Sequence, residues 1–187
     1  MSDLDLHAIL YLTAHYPEVP AAFAAGTLLL SGAAWWLAPR WGWAQLPAVF
    51  AGCGLALALA VTVVRPTEIF AAAGPNPLVI LRECGVGSLS LARTYEKLNV
   101  VMLVPFAFFG TLATRRPAAI AVSCLLISGS VELLQGATGG GTCQAFDVVH
   151  NSAGGALGVL LAVVALRLAR RSRGVTADLG AGPGSPR

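Results

Sequence analysis

The sequence predicts an all-α protein, a polytopic transmembrane helical bundle of about five spans with its N-terminus outside and its C-terminus cytoplasmic. Three observations lead there. Of the 187 residues, 56% are hydrophobic and 11% charged, against roughly 25% charged residues in ordinary soluble domains, and the mean hydropathy is +0.73. The apolar residues gather in long continuous runs rather than in the alternating pattern of a membrane barrel. Lys and Arg are distributed unevenly between those runs.

A helix needs about 20 mainly apolar residues to cross ~30 Å of hydrocarbon at ~1.5 Å per residue. The stretches that approach this length are 20–38, 46–64, 98–113, 117–135 and 148–168. The third is short and can extend back through Tyr95 and Glu96. Ahead of the first span, 1–19 reads as an N-terminal interfacial segment, with Pro17 and Pro20 separating a short helix over 3–16 from the membrane. The bundle proper covers 20–168. Within it, 65–97 is the one sizeable extracytoplasmic loop, and its IFAAAGPNPLVIL stretch is apolar enough to lie on the membrane surface. The tail, 169–187, ends in VTADLGAGPGSPR and is expected to be disordered and cytoplasmic.

Orientation follows from the basic residues. With the N-terminus outside, the inner segments hold Arg40, Arg115, Arg116, Arg167, Arg170, Arg171 and Arg173. The outer loop holds Arg65, Arg82, Arg93 and Lys97, offset by Glu68, Glu83 and Glu96. The positive-inside rule favours this arrangement. No Lys or Arg precedes the first span, so a cleaved signal peptide is not expected.

The cysteines divide along the same lines. Cys53 and Cys124 fall within spans, where a thiol packs as a small apolar side chain. Cys84 and Cys143 fall in the two loops on the exterior, where an oxidising compartment permits a disulfide pinning the long loop to the turn between the fourth and fifth spans. Two free thiols are the other reading.

The residues that carry chemistry are those least suited to an apolar run. A charge in hydrocarbon costs at least ~2.5 kcal/mol on insertion scales, so such groups usually face a protein interior or a wet cavity. Glu132 and Gln135 share one side of the last turn of the fourth span, and Asp147, His150 and Asn151 share a face of the first turn of the fifth. Asn99 lies in the first turn of the third. Three helices thus deliver polar groups to one level near the outer boundary. Blander roles compete: Asp147 as a helix N-terminal carboxylate, Asn99 and Asn151 as interhelical hydrogen-bond partners, and His150 as a packed, hydrogen-bonded side chain. No His or thiolate cluster accompanies His150, so no metal site and no cofactor are expected. Gly154, Gly155 and Gly158 give the fifth helix a small face for close packing.

These motifs carry a family resemblance. Asn99 with Pro105, the ELLQ of 132–135 and the run CQAFDVVHNSAGGALG over 143–158 resemble the VanZ-like family of small bacterial membrane proteins, over 95–160. The Cys84 and Cys143 arrangement is similar to the actinobacterial type. Three positions depart from the pattern: Gly141 stands in a GGGTC stretch where relatives carry an Arg, Phe146 replaces an acidic residue, and Ala107 replaces a common Gly. The resemblance implies a multi-pass protein of the bacterial cell membrane with an envelope role, the founding member being associated with resistance to the glycopeptide teicoplanin.

The resulting expectation is a cell-envelope protein whose outer-leaflet polar pocket, formed by Asn99, Glu132, Gln135, Asp147, His150 and Asn151, binds a membrane lipid, a lipid-linked cell-wall component or a glycopeptide-type antibiotic. Two alternatives stay open. One is a membrane enzyme using Glu132, Asp147 and His150 as acid and base on a lipid-linked substrate. The other is an accessory subunit, with small residues such as Ala21, Ala25 and Gly32 packing on another membrane protein. Nucleic acid is not an expected partner.

Overall fold

The computed structural model describes residues 16–63, 91, 94–138 and 144–180. The N-terminal helix over 3–16 therefore lies almost wholly outside the described residues, as do nearly all of the loop 65–97 and both Cys84 and Cys143. Cys53 and Cys124 carry free thiols.

Among the described residues six α-helices follow in order: α1 (Glu18–Leu37), α2 (Gln45–Val63), α3 (Thr94–Met102), α4 (Val104–Thr114), α5 (Pro117–Thr138) and α6 (Ala145–Gly180). By length and composition they give five candidate membrane spans, Glu18–Trp41, Gln45–Val63, Glu96–Thr114, Pro117–Gln135 and Ala145–Ser172. The third span is one run of α3 and α4 with a break at Leu103, where φ is −89° and ψ −5°. Pro105 accounts for the break, because it has no N–H for the Val101 carbonyl and its ring crowds that turn. Helix α6 continues past the expected end of its span and runs to Gly180.

The turns use the expected stop residues. After α1, a 3-10 turn (Ala38–Trp41) contains Pro39 and ends at Gly42, whose φ of +66° suits a residue without Cβ. Ala44 N–H then donates to the Ala113 carbonyl at 3.1 Å, joining this turn to the end of α4. Arg115 adopts a left-handed φ of 56° to close α4, and Pro117 opens α5.

What holds the helices together is small. The buried apolar residues are mostly alanines, among them Ala38, Ala48, Ala56, Ala58, Ala60, Ala107, Ala113 and Ala162, whereas Leu28, Leu29, Trp36, Leu126 and Leu160 point outward. This is the distribution expected where lipid solvates the large side chains and close backbone approach supplies the contact between helices. A Cβ on Gly52 would lie 2.8 Å from the backbone of Leu30 and Ser31, and one on Gly54 would lie 2.8 Å from the Phe106 nitrogen. Ser31 adds a hydrogen bond to the Val49 carbonyl at 2.9 Å.

Helix α6 is the centre of the bundle, packed against α3, α4 and α5. A Cβ on Gly154 would fall on the Val100 carbonyl oxygen, one on Gly155 would lie 2.6 Å from Cys124 Cβ, and one on Gly158 would lie 2.6 Å from the Val104 carbonyl oxygen. Helix α2 packs on α4, and α1 packs on α2 at the periphery, with only 6% of its span buried against 44% for α2. The chain is thus a multi-pass helical membrane protein. Because successive spans alternate in direction, Arg40, Arg115, Arg116, Arg167, Arg170 and Arg171 collect at one end of the bundle, and Glu18, Glu96, Glu132 and Asp147 at the other.

Gly158→Leu is expected to destabilise the bundle by about 3 kcal/mol, near the upper end of ordinary overpacking costs. Gly129→Ala, at a helical site with nothing within 4 Å, should be neutral or stabilising by up to about 1 kcal/mol. Thermal unfolding of both variants in detergent checks this, and a Gly158→Leu protein that melts like the wild type would mean that α6 does not approach α4 as closely as described.

Candidate functional site

The acidic end is assembled by the same close contacts. Helices α5 and α6 run antiparallel with Gly155 against Cys124, so one turn toward the acidic end Asn151 comes level with Ser128, and one turn further Asp147 comes level with Glu132. Helices α3 and α6 run parallel, with Gly154 against Val100. Carrying that offset back one turn brings His150 level with Glu96. His150 therefore sits on the α3 side of α6 and Asn151 on its α5 side.

Five polar side chains of this layer are almost sealed. Glu96 is 2% exposed, Ser128 1%, Glu132 5%, His150 5% and Asn151 3%. Gln135 is also buried, while Asn99, Asp147 and Ser152 are partly so. The six residues expected to line a pocket are therefore all at one end, and five of them lie on α5 and α6. Asn99, the sixth, is half-buried on α3 and makes no hydrogen bond to the described residues.

Two of these side chains have structural partners. Gln135 Nε2 donates to the Thr62 carbonyl at 2.8 Å, supplying a donor to the last turn of α2, where helix carbonyls lack intrahelical partners. Thr62 in turn donates its hydroxyl to the Ala58 carbonyl at 2.7 Å. Glu132 Oε2 accepts the backbone N–H of Gln144 at 3.1 Å. Gln144 immediately precedes α6, so this carboxylate also sits at the positive end of that helix's dipole. Glu132 and Gln135 thereby tie α5 to the start of α6 and to the end of α2.

Four other side chains of the layer differ from these. Nδ1 and Nε2 of His150, Oδ1 of Asn151 and the hydroxyls of Ser128 and Ser152 are buried without a hydrogen-bond partner among the described residues. The nearest carboxylate oxygen to His150 Nδ1 is Asp147 Oδ1 at 3.9 Å, too far for a hydrogen bond. A buried polar group left unpaired costs about 1–3 kcal/mol, so a cluster of them is unusual in a folded protein. Among the described residues, no group of three or more His, Cys, Asp or Glu side chains is arranged to hold a metal ion.

A family model described as VanZ/LLP1 matches residues 69–167. The chain belongs to the VanZ/LLP1 family. No curated protein and no solved structure gives a match. The VanZ/LLP1 match takes in α3, α4, α5 and most of α6, and so includes every residue of the polar layer except Thr62. It leaves out α1 and α2, the spans without motifs of their own.

One departure from the VanZ-like pattern has a packing explanation. Ala107 is fully buried, and a Cβ on Gly158 would lie 2.9 Å from Ala107 Cβ. With glycine at 158, α4 can carry a methyl group at 107 without pushing α6 away. Phe146 is half-buried, and Gly141 lies outside the described residues.

Sequence reasoning missed Glu96, Ser128, Ser152 and Thr62. Serine and threonine at helical spacing give no signal, since either usually bonds its own helix, as Ser123 does to the Ala119 carbonyl at 2.9 Å. Glu96 sits in the sequence YEKLN, which reads as a polar boundary; only its register with His150 shows that it is interior.

Replacing Glu132 by Ala removes the acceptor of the Gln144 N–H and is expected to lower stability by about 1–3 kcal/mol. Glu132→Gln keeps an oxygen that can accept and should retain most of it. Unfolding midpoints of the two variants test this, and equal losses would mean that the carboxylate charge rather than the hydrogen bond matters.

Proposed function

We propose that this VanZ/LLP1 protein is a cell-envelope factor that binds the polar headgroup of an amphiphile at the acidic end of its bundle. The amphiphile is a membrane lipid, a lipid-linked cell-wall component or a glycopeptide-type antibiotic. One observation carries the reading: both ring nitrogens of His150 and the side-chain oxygen of Asn151 are sealed inside an apolar bundle without partners among the described residues. A polar headgroup reaching between the helices supplies partners while its acyl chains stay in lipid, which is the usual economy of a polar site at membrane depth.

The arginines favour an orientation with the acidic end outside. Arg40, Arg115, Arg116, Arg167, Arg170 and Arg171 lie together at the opposite end, and the positive-inside rule assigns such an end to the cytoplasm. In that orientation the polar layer faces the outer leaflet.

An acid–base enzyme is the second reading, favoured by His150 Nδ1 standing 3.9 Å from Asp147 Oδ1 with Glu132 at the same end. A small rotation would bring the imidazole and carboxylate into a hydrogen bond of the kind that orients a general base. Turnover of a lipid-linked precursor by purified protein, lost in His150→Gln, distinguishes it from binding alone.

Protein isolated from its native membrane without delipidation is expected to retain an amphiphile in native mass spectrometry. Combining His150→Phe with Asn151→Leu should reduce its occupancy at least about tenfold, the effect of losing two ordinary hydrogen bonds. Deletion of the protein should raise sensitivity to glycopeptide antibiotics. No retained amphiphile together with unchanged sensitivity would defeat the proposal. For orientation, a cysteine introduced by Ser172→Cys should react with an impermeant maleimide only after the cells are permeabilised; labelling of intact cells would reverse the assignment.

A further inference from the structure

This inference rests on the amphiphile-binding reading and concerns what the headgroup is. The unpaired atoms define its chemistry by what each can donate or accept. Asn151 Oδ1 is an acceptor only. The hydroxyls of Ser128 and Ser152 each donate one hydrogen bond and accept others. Neutral His150 presents one donor and one acceptor nitrogen, and both are unpaired.

Helical hydroxyls ordinarily satisfy themselves on the carbonyl one turn back. Thr62 does so on Ala58 at 2.7 Å, Thr114 on Gly110 at 2.8 Å and Ser123 on Ala119 at 2.9 Å. Ser128 and Ser152 do not. Single unpaired hydroxyls also occur elsewhere, at Thr27 and Thr111. Among the described residues, only at the acidic end do they accompany an unpaired imidazole and an unpaired amide oxygen.

Three headgroup classes can be compared against this set. A phosphate accepts but, when fully ionised, does not donate, so it leaves Asn151 Oδ1 and the acceptor nitrogen of His150 unpaired. It would also enter an end that holds Glu96, Glu132 and Asp147, where the one Lys or Arg among the described residues is the exposed Lys97. An ammonium group suits the carboxylates and Asn151 Oδ1 but accepts nothing from the donor nitrogen of His150. A hydroxyl both donates and accepts, and several hydroxyls on one ring can meet Asn151, His150 and Ser128 together. We infer that the polar layer takes an uncharged, polyhydroxylated headgroup of the glycosyl type, with Asn151 and Ser128 reaching it from facing helices and His150 from the α3 side.

The test uses the full chain in phosphatidylcholine nanodiscs doped, at equal mole fraction and with matched acyl chains, with diglucosyl diacylglycerol, phosphatidic acid or a dialkyl dimethylammonium lipid. Native mass spectrometry reads the lipid retained on the protein. The expected result is diglucosyl lipid enriched about fivefold or more over each charged lipid, the factor one net hydrogen bond supplies, falling to parity in Asn151→Leu and in Ser128→Ala. Ser128→Ala removes a single buried oxygen and decides the matter if Asn151→Leu does not fold. Equal or preferred retention of either charged lipid overturns this inference and leaves amphiphile binding intact. A wild-type preference that persists in Ser128→Ala overturns the assignment to this layer. Retention of none of the three above bulk phosphatidylcholine counts against amphiphile binding itself, and so against both.

Discussion

The close approach of α6 to its neighbours is the constraint on which the rest of the structure depends. Lipid is as apolar as leucine, so large side chains gain little by leaving it for a helix interface; contact has to come from backbones that fit. Gly154, Gly155 and Gly158 provide that fit on two sides at once, toward Val100 and Val104 on one and toward Cys124 on the other. A side chain at any of them would displace α3, α4 or α5. The alanine-rich core and the outward leucines are consequences of the same rule, as is the peripheral place of α1, which meets the bundle chiefly through α2.

That packing also determines the depth of the polar layer. Once Gly155 is against Cys124 and Gly154 against Val100, the register of three helices is set, and the residues one turn along cannot avoid meeting. Ser128, Asn151, His150 and Glu96 are therefore buried because the glycines beside them are, not because each position is suited to burial. The Glu132 bond to the Gln144 N–H and the Gln135 bond to the Thr62 carbonyl close the same end. They tie α5 to the start of α6 and to the end of α2, so that the end is held together by polar contacts while the middle is held by backbone fit.

Much of this was legible in the sequence, and what was not has a physical reason. The spans were readable because length and hydropathy are properties of single segments, and the fit of 117–135 to Pro117–Gln135 is complete. The break at Leu103 follows from Pro105, a local signal, yet its consequence of two helices in one span was not drawn. Helix α6 runs to Gly180, beyond the span end read from hydropathy, because hydropathy locates the membrane and not the end of a helix. At the site, Glu132, Gln135, Asp147, His150 and Asn151 were visible as anomalies in apolar runs, but which of them have internal partners was not. Gln135 finds its partner in a helix far away in sequence, and interhelical register is not encoded in any one segment. For that reason Glu96 and Ser128, which owe their burial to register alone, escaped notice.

The division between satisfied and unsatisfied groups separates two tasks that sequence alone had merged. Glu132 and Gln135 complete hydrogen bonds of the backbone at helix ends, and a protein with no ligand at all would still need them. His150 and Asn151 contribute no such bond. If they served only the fold, apolar residues of similar size would serve it better, since removing both partners of a buried polar contact is nearly neutral whereas leaving one unpaired costs about 1–3 kcal/mol. On the proposed reading, the imidazole and the amide held in the interior of this alanine-rich bundle are a cost carried for a ligand. The layer lies one turn inside the end, where water is scarce and the low dielectric makes an unpaired polar group costly.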